Sequence, residues 1–300
     1  MRCGPPPGLF RRISYYSASG IHSTTSFLLF TNLWIASSYT LYAISAMVCL
    51  QLEPNVLDAY NWCLIFFAVW LVYLLDRLLD PPQEGMSARR VFWKRHMHWQ
   101  IAGLCTATLG VGWASLHLPL RGILIWIPAG LLSLGYTLPR TPLGLRGLRW
   151  VPYLKVFLIA SVWSYAGIAY VFTASAQRAA LDSVLELGLI RLLWVLAITL
   201  PFDMRDVRND FRQGILTLPL RFGLRMCWKL SGLLALLSML LTVWWFGHHP
   251  QIEVWILSYL LLALALAAWR PWRGESYYAF LLDGSVGIQA ALLLWGEAMH

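Results

Sequence analysis

Acidic side chains are scarce in this chain. Asp and Glu supply only 14 of 300 residues, and charged residues together only 12%. A soluble domain is nearer a quarter charged, so a water-exposed globular surface is excluded. Cysteine pairing is missing too. Cys3, Cys49, Cys63, Cys105 and Cys227 show no CxxC spacing and lie mostly in apolar stretches, which argues against both a disulfide framework and a zinc site. The first 25 residues, with Pro5-Pro6-Pro7 and Arg11-Arg12, lack the short apolar core and cleavage site of a secretory signal. They are expected to form an irregular tail over 1–25. His96 and His98, two apart in a basic stretch, read as interfacial residues rather than metal ligands.

What the chain has in place of charge is hydrocarbon. Hydrophobic residues make up 59% and mean hydropathy is +0.60. Apolar runs of about 20 residues, the length that crosses a bilayer core as helix, recur nine times. They cover 27–51, 56–78, 99–117, 121–138, 151–173, 184–202, 227–247, 254–270 and 277–299. The expectation is an all-α polytopic membrane protein, one nine-helix domain over 26–300. On that frame all but three of the 23 Lys and Arg fall on one side, the exceptions being Arg121, Arg178 and Arg191. The positive-inside rule then places the N-terminus in the cytoplasm and the C-terminus outside. This one-sided distribution also accounts for the net charge of +9 without any nucleic-acid partner.

Against this acid-poor background, two clusters stand out: Asp76-Arg-Leu-Leu-Asp80 and Asp203-Met-Arg-Asp206-Val-Arg-Asn-Asp210. They end the second and sixth apolar runs, on the same cytoplasmic side. Carboxylates near lipid are costly, so such residues are functional candidates by default. Residues four apart share one helix face, which makes Asp76/Asp80 one pair and Asp206/Asp210 another, with Asp203 one turn earlier. Carboxylates so placed repel one another unless a cation joins them. Mg²⁺ commonly binds through a few carboxylates plus substrate phosphates, so the pairs suit a diphosphate bracketed through Mg²⁺. The blander account makes them helix-end charges paired with Arg77, Arg205 and Arg208.

At these residues the chain resembles the UbiA superfamily of membrane prenyltransferases. The second cluster runs on through Gly214-Ile-Leu-Thr217-Leu-Pro219 to Gly223, similar to that family's DxxDxxxD stretch followed by G-x-x-T-L-P and a glycine. The first departs from the family's N-x-x-x-D-x-x-x-D: Asp76 and Asp80 fit, but Val72 stands where Asn belongs, and valine cannot ligate a metal. Tyr136-Thr-Leu-Pro-Arg140 resembles the family's Y-x-x-x-[K/R] segment after helix 4. Lys155 lies about a turn inside the fifth apolar run, either snorkelling to water or facing the cavity as a point charge for phosphate.

The resemblance implies nine transmembrane helices around a cytoplasm-facing cavity, with Asp-rich motifs after helices 2 and 6. It implies Mg²⁺-dependent transfer of a prenyl group from a prenyl diphosphate to a hydrophobic, aromatic acceptor. Asp76, Asp80, Asp206 and Asp210 would hold Mg²⁺, and Asp203 would orient that shell. Arg77, Tyr136, Arg140, Lys155 and Arg208 would meet the substrate. Asn32, Asp283 and Gln289 are further polar residues that could line the cavity, with interhelical hydrogen bonding the plainer role for Asn32 and Gln289. Two other readings stand beside this one: a catalytically altered, UbiA-like lipid-binding protein, which Val72 favours, and an ion-coupled transporter using Asp283 and Lys155. The expected location is a bacterial inner membrane.

Overall fold

The computed structural model describes residues 28, 31–79, 92–93, 95–138, 147–174, 179–270, 273–274 and 277–298. The expected tail over 1–25, Asp80 and Arg140 lie outside the described residues. Within them all regular structure is helical. The long helices are α1 (Leu33–Cys49), α2 (Val56–Leu79), α3 (Met97–Leu116), α4 (Leu120–Thr137) and α5 (Leu154–Ala169). They continue with α6 (Leu181–Gln213), α7 (Leu224–Phe246), α8 (Ile252–Ala267) and α9 (Gly284–Ala298), the last entered through a π-helical stretch, Tyr277–Asp283. Each occupies one of the nine apolar runs. By length and composition α2, α4, α6, α7 and the π-led α9 can each cross a membrane, while α1, α5 and α8 are apolar but shorter.

The helices are not equivalent. In α6, 61% of the apolar span is buried, against 17% for α2 and α4 and 22% for α7. The outer faces of α7 and α8 expose Leu236, Leu240, Trp244, Leu260 and Leu264, a surface that water would not tolerate and lipid does. The molecule is thus an integral membrane protein arranged around α6, which packs between α5 and α7.

Local sequence sets where these helices start and stop. Ahead of α2, the Asn55 side chain accepts hydrogen bonds from the Leu57 and Asp58 amides at 2.8 and 3.2 Å, and Asp58 accepts one from the Asn55 amide at 2.8 Å. This reciprocal box satisfies donors that a helix start leaves open. Inside α6, Pro201 has no N–H, which frees the Ala197 carbonyl. Ser231 of α7 donates to that carbonyl at 2.5 Å, fixing the α6–α7 packing just before the acidic stretch begins. At the far end Gly214, at φ 75°, closes α6 in the left-handed conformation that glycine adopts without penalty. Its amide bonds the Phe211 carbonyl and the Ile215 amide bonds that of Asp210, the paired bonds of a Schellman cap.

Candidate active site

One end of the bundle gathers the polar residues. Asn32 precedes α1, Asp76 and Arg77 end α2, Lys155 opens α5, Asp203, Asp206 and Asp210 occupy the last turns of α6, and Asp283 ends the π-helical stretch before α9. All of these line a single cavity of about 460 Å³. Tyr136, at the end of α4, lines it too. Of the sequence-derived candidates that the structure describes, Arg208 and Gln289 are not among its lining residues, and Gln289 faces a separate, small pocket beside Arg191.

Asp203, Asp206 and Asp210 belong to α6 itself rather than to a loop after it. Positions 203 and 210 are seven apart, two turns on one face, and the Lys155 ammonium sits between them. Its Nζ lies 2.9 Å from Asp203 Oδ1 and 3.1 Å from Asp210 Oδ2. All three side chains are at most a tenth exposed. The linkage across α6 therefore joins Asp203 to Asp210 through a lysine, where the four-residue spacing alone suggested Asp206 with Asp210. Asp206 is held differently: Arg205 donates to both of its oxygens, at 2.8 and 3.1 Å, and stacks on Tyr278 with its guanidinium carbon 4.6 Å from the ring centre. The loop beyond the cap supports this arrangement. The Leu216 carbonyl accepts the amide of Tyr153, itself left-handed at φ 63°, two residues before Lys155.

The α2 side is looser. Asp76 faces Arg149 at 3.7 Å, and Arg149 lies over the Tyr136 ring at 5.6 Å. Arg149 was not singled out in the sequence because Arg140, which completes the Tyr-x-x-x-Arg spacing, drew attention first. Arg205, Arg273 and Tyr73 were missed as lining residues for a related reason: each is one arginine or tyrosine among many near the basic end of the bundle. Among the described residues five cations (Arg77, Arg149, Lys155, Arg205, Arg273) and five carboxylates (Asp76, Asp203, Asp206, Asp210, Asp283) line the cavity. The deeper wall is apolar, with Ile159, Trp163, Val195 and Ile198.

Among the described residues no three His, Cys, Asp or Glu side chains come close enough to hold a metal ion by themselves. Three carboxylate oxygens at the cavity are nonetheless poorly served. Asp203 Oδ1 and Oδ2 and Asp76 Oδ1 are buried without a hydrogen-bond partner among the described residues, though Asp203 Oδ1 is ion-paired with Lys155 and Asp76 Oδ1 faces Arg149. This is an unusual and costly state for such oxygens. That donor set suits Mg²⁺ arriving with phosphate oxygens, because this ion takes only one or two protein carboxylates when substrate supplies the rest.

No family model matches the chain, and no curated protein matches it by sequence. Among solved structures it is similar to an apo UbiA homologue from Aeropyrum pernix K1, with 14% identity, a TM-score of 0.63, and 88% of this chain and 98% of that one covered. A UbiA homologue from Archaeoglobus fulgidus bound to GPP and Mg²⁺ matches at 16% identity and a TM-score of 0.59, covering 91% and 98%. The chain has the UbiA fold. A digeranylgeranylglyceryl phosphate synthase matches as well, at 14% identity and a TM-score of 0.55 over 92% of this chain and 99% of that one. Within this UbiA fold the cavity of the present chain is framed by α1, α2, α5, α6 and the start of α9.

Proposed function

We propose that the chain is a UbiA-type prenyltransferase that moves an isoprenoid chain from a prenyl diphosphate to a hydrophobic, aromatic acceptor within the membrane, in a Mg²⁺-dependent reaction. The observation that carries this reading is the cavity: cations and carboxylates together in its lining, three buried carboxylate oxygens without hydrogen-bond partners among the described residues, and an apolar wall beside them. Solved relatives of the same fold hold GPP or DMAPP with Mg²⁺, which supports the same assignment here.

Asp76, Asp80, Asp206 and Asp210 would hold Mg²⁺ jointly with the diphosphate, and the ion supplies neutralisation of the leaving group's charge. Lys155, Arg77, Arg149 and Arg140 bind phosphate oxygens. Asp203 keeps the Lys155 ammonium aimed at the cavity. The allylic C1–O bond breaks with its electron pair going to diphosphate, and Tyr73, Tyr136 and Trp163 offer ring faces to the positive charge that develops on the prenyl group. The acceptor attacks C1 and gives up the proton it loses to a cavity carboxylate, Asp203, or to the departing diphosphate. The isoprenoid tail lies along Ile159, Val195 and Ile198, sheltered from water. In this orientation the polar end faces the cytoplasm of a bacterial inner membrane, with the C-terminus outside.

The test uses purified protein in detergent with radiolabelled geranyl, farnesyl and geranylgeranyl diphosphates, following diphosphate release with and without Mg²⁺ across a panel of aromatic acceptors. Mg²⁺-dependent release that rises with one acceptor is the expected result. Val72 favours a second reading, a catalytically altered protein that binds prenyl lipid, and Mg²⁺-dependent binding with no release under any acceptor would select it.

A further inference from the structure

The part of the cavity lining that comes from the start of α1 and from the π-helical stretch carries polar groups that diphosphate handling leaves unused. Asn32 stands just ahead of α1 in the left-handed conformation, φ 62° and ψ 10°, and is 2% exposed. Its amide nitrogen is buried and has no hydrogen-bond partner among the described residues. Asn tolerates this backbone better than most residues, yet the geometry still persists only where neighbours impose it.

Those neighbours can be named. The Trp70 indole of α2 donates to the Thr31 carbonyl at 2.9 Å, and the Trp34 indole donates to the Ala279 carbonyl at 3.0 Å. Ala279 belongs to the π-helical stretch, whose altered bonding is common at functional sites. Asp283 closes that stretch and lines the same cavity as Asn32. The two elements run side by side at this level: a Cβ on Gly284 would lie 3.1 Å from the Trp34 ring, and one on Gly287 would lie 2.7 Å from Ser38. A buried amide with no hydrogen-bond partner among the described residues and a carboxylate are thus held in one cavity lining, on elements joined by a tryptophan hydrogen bond and a helix seam.

We propose that Asn32 and Asp283 form the acceptor end of the cavity, and that the acceptor they take is an uncharged, hydroxyl-bearing molecule. Its O–H donates to Asp283 and its oxygen accepts from the Asn32 amide. The assignment rests on the prenyl-transfer reading of the same cavity. A carboxylate is only an acceptor of hydrogen bonds, so Asp283 selects a donor and repels an acid. The charge count points the same way. Among the described lining residues cations and carboxylates are equal in number, and with those cations engaged by a diphosphate an acidic acceptor would bring further negative charge into a poorly solvated space.

Full-length protein in detergent, with tritiated probes and equilibrium dialysis, tests this. The probes are methyl para-hydroxybenzoate, para-hydroxybenzoate and methyl para-methoxybenzoate, each measured with and without geranyl thiodiphosphate and Mg²⁺. The neutral phenol is expected to bind at least about tenfold tighter than either the acid or the methyl ether, the scale of one hydrogen bond to a charged group. Asp283→Asn should bring all three probes within about threefold of one another, having lost that charge-assisted bond. Asn32→Gly keeps the left-handed backbone at ease while removing the amide, and should weaken the neutral phenol alone. Geranyl thiodiphosphate binding by both variants shows that they remain folded. An acid that binds as tightly as its ester, an Asp283→Asn chain that still prefers the ester, or no binding of the phenol under either condition overturns the assignment. Failure of the unaltered chain to bind geranyl thiodiphosphate breaks the prenyl-transfer reading instead, and phenol binding without it then decides the acceptor site by itself.

Discussion

The two acidic helix ends are built to different standards. On α6 the carboxylates follow the most buried of the five membrane-length apolar spans. Lys155 holds Asp203 and Asp210, Arg205 grips Asp206 through both oxygens, and a Schellman cap at Gly214 ends the helix just beyond them. On α2 Asp76 meets Arg149 only at 3.7 Å, its side chain is 23% exposed, and Val72 occupies the position one turn before it. Rigid placement matters most where charge must be stabilised without rearrangement. The contrast therefore assigns α6 the fixed half of the site and α2 the half that adjusts to what is bound.

That division can be broken by exchanging single atoms on each side. Asp206→Asn removes a charge from the fixed half and leaves Arg205 beside an amide, so turnover should fall by about 10²–10³-fold, the size of losing one preorganised electrostatic contact. Asp76→Asn should cost less, on the order of tenfold, because its partner is distant and partly solvated. Rates for both variants, measured at saturating prenyl diphosphate with folding checked by thermal melting, decide the matter. Equal losses would erase the distinction between the halves. Lys155→Met comes next and acts on stability as well as rate. It strands Asp203 and Asp210 as buried, unpaired charges, a loss of about 3–5 kcal/mol by analogy with broken buried ion pairs. A melting temperature unchanged from the parent would show that the ammonium does not hold these carboxylates together.

Much of this was legible in the sequence for reasons that can be named. Nine apolar runs became nine long helices among the described residues because a buried or lipid-facing helix leaves a continuous hydrophobic signal. Asp76, Tyr136, Lys155, Asp203, Asp206 and Asp210 converge on one cavity as expected, since helix ends on the same side of an up-and-down bundle meet. The partners were not legible. Spacing suggested Asp206 with Asp210, but whether a lysine from α5 joins 203 to 210 depends on the rotation of one helix against another, which no local pattern records. Arg149 was hidden for the same reason, being one of several arginines in a basic stretch. The π-helical entry to α9 leaves no periodic mark either.

Gly214 tests the fixed half from its backbone. No atom lies within 4 Å of where a Cβ would sit, so Gly214→Ala meets no clash. The whole cost comes from the left-handed conformation, about 1–2 kcal/mol. The expected result is a lower melting temperature with turnover changed by less than in the aspartate variants. A variant as stable as the parent would mean that the cap does not hold the end of α6, and that Lys155 alone fixes the acidic face.

The smallest expected effect probes the adjustable half. Val72 lies four residues before Asp76 and so on the same face of α2, where an asparagine could donate to or accept from whatever the carboxylate holds. Val72→Asn should lower the Mg²⁺ concentration needed for half-maximal prenyl diphosphate binding by about threefold, the lower range of one net hydrogen bond. The same change on an Asp206→Asn background should do nothing, because the adjustable half can only refine an ion that the fixed half already retains. If Val72→Asn tightened Mg²⁺ binding tenfold or more, α2 would share the fixed role with α6. If it had no effect even on the parent chain, the valine would be a neutral departure, and the α6 carboxylates with Lys155 would define the cation requirement of the site.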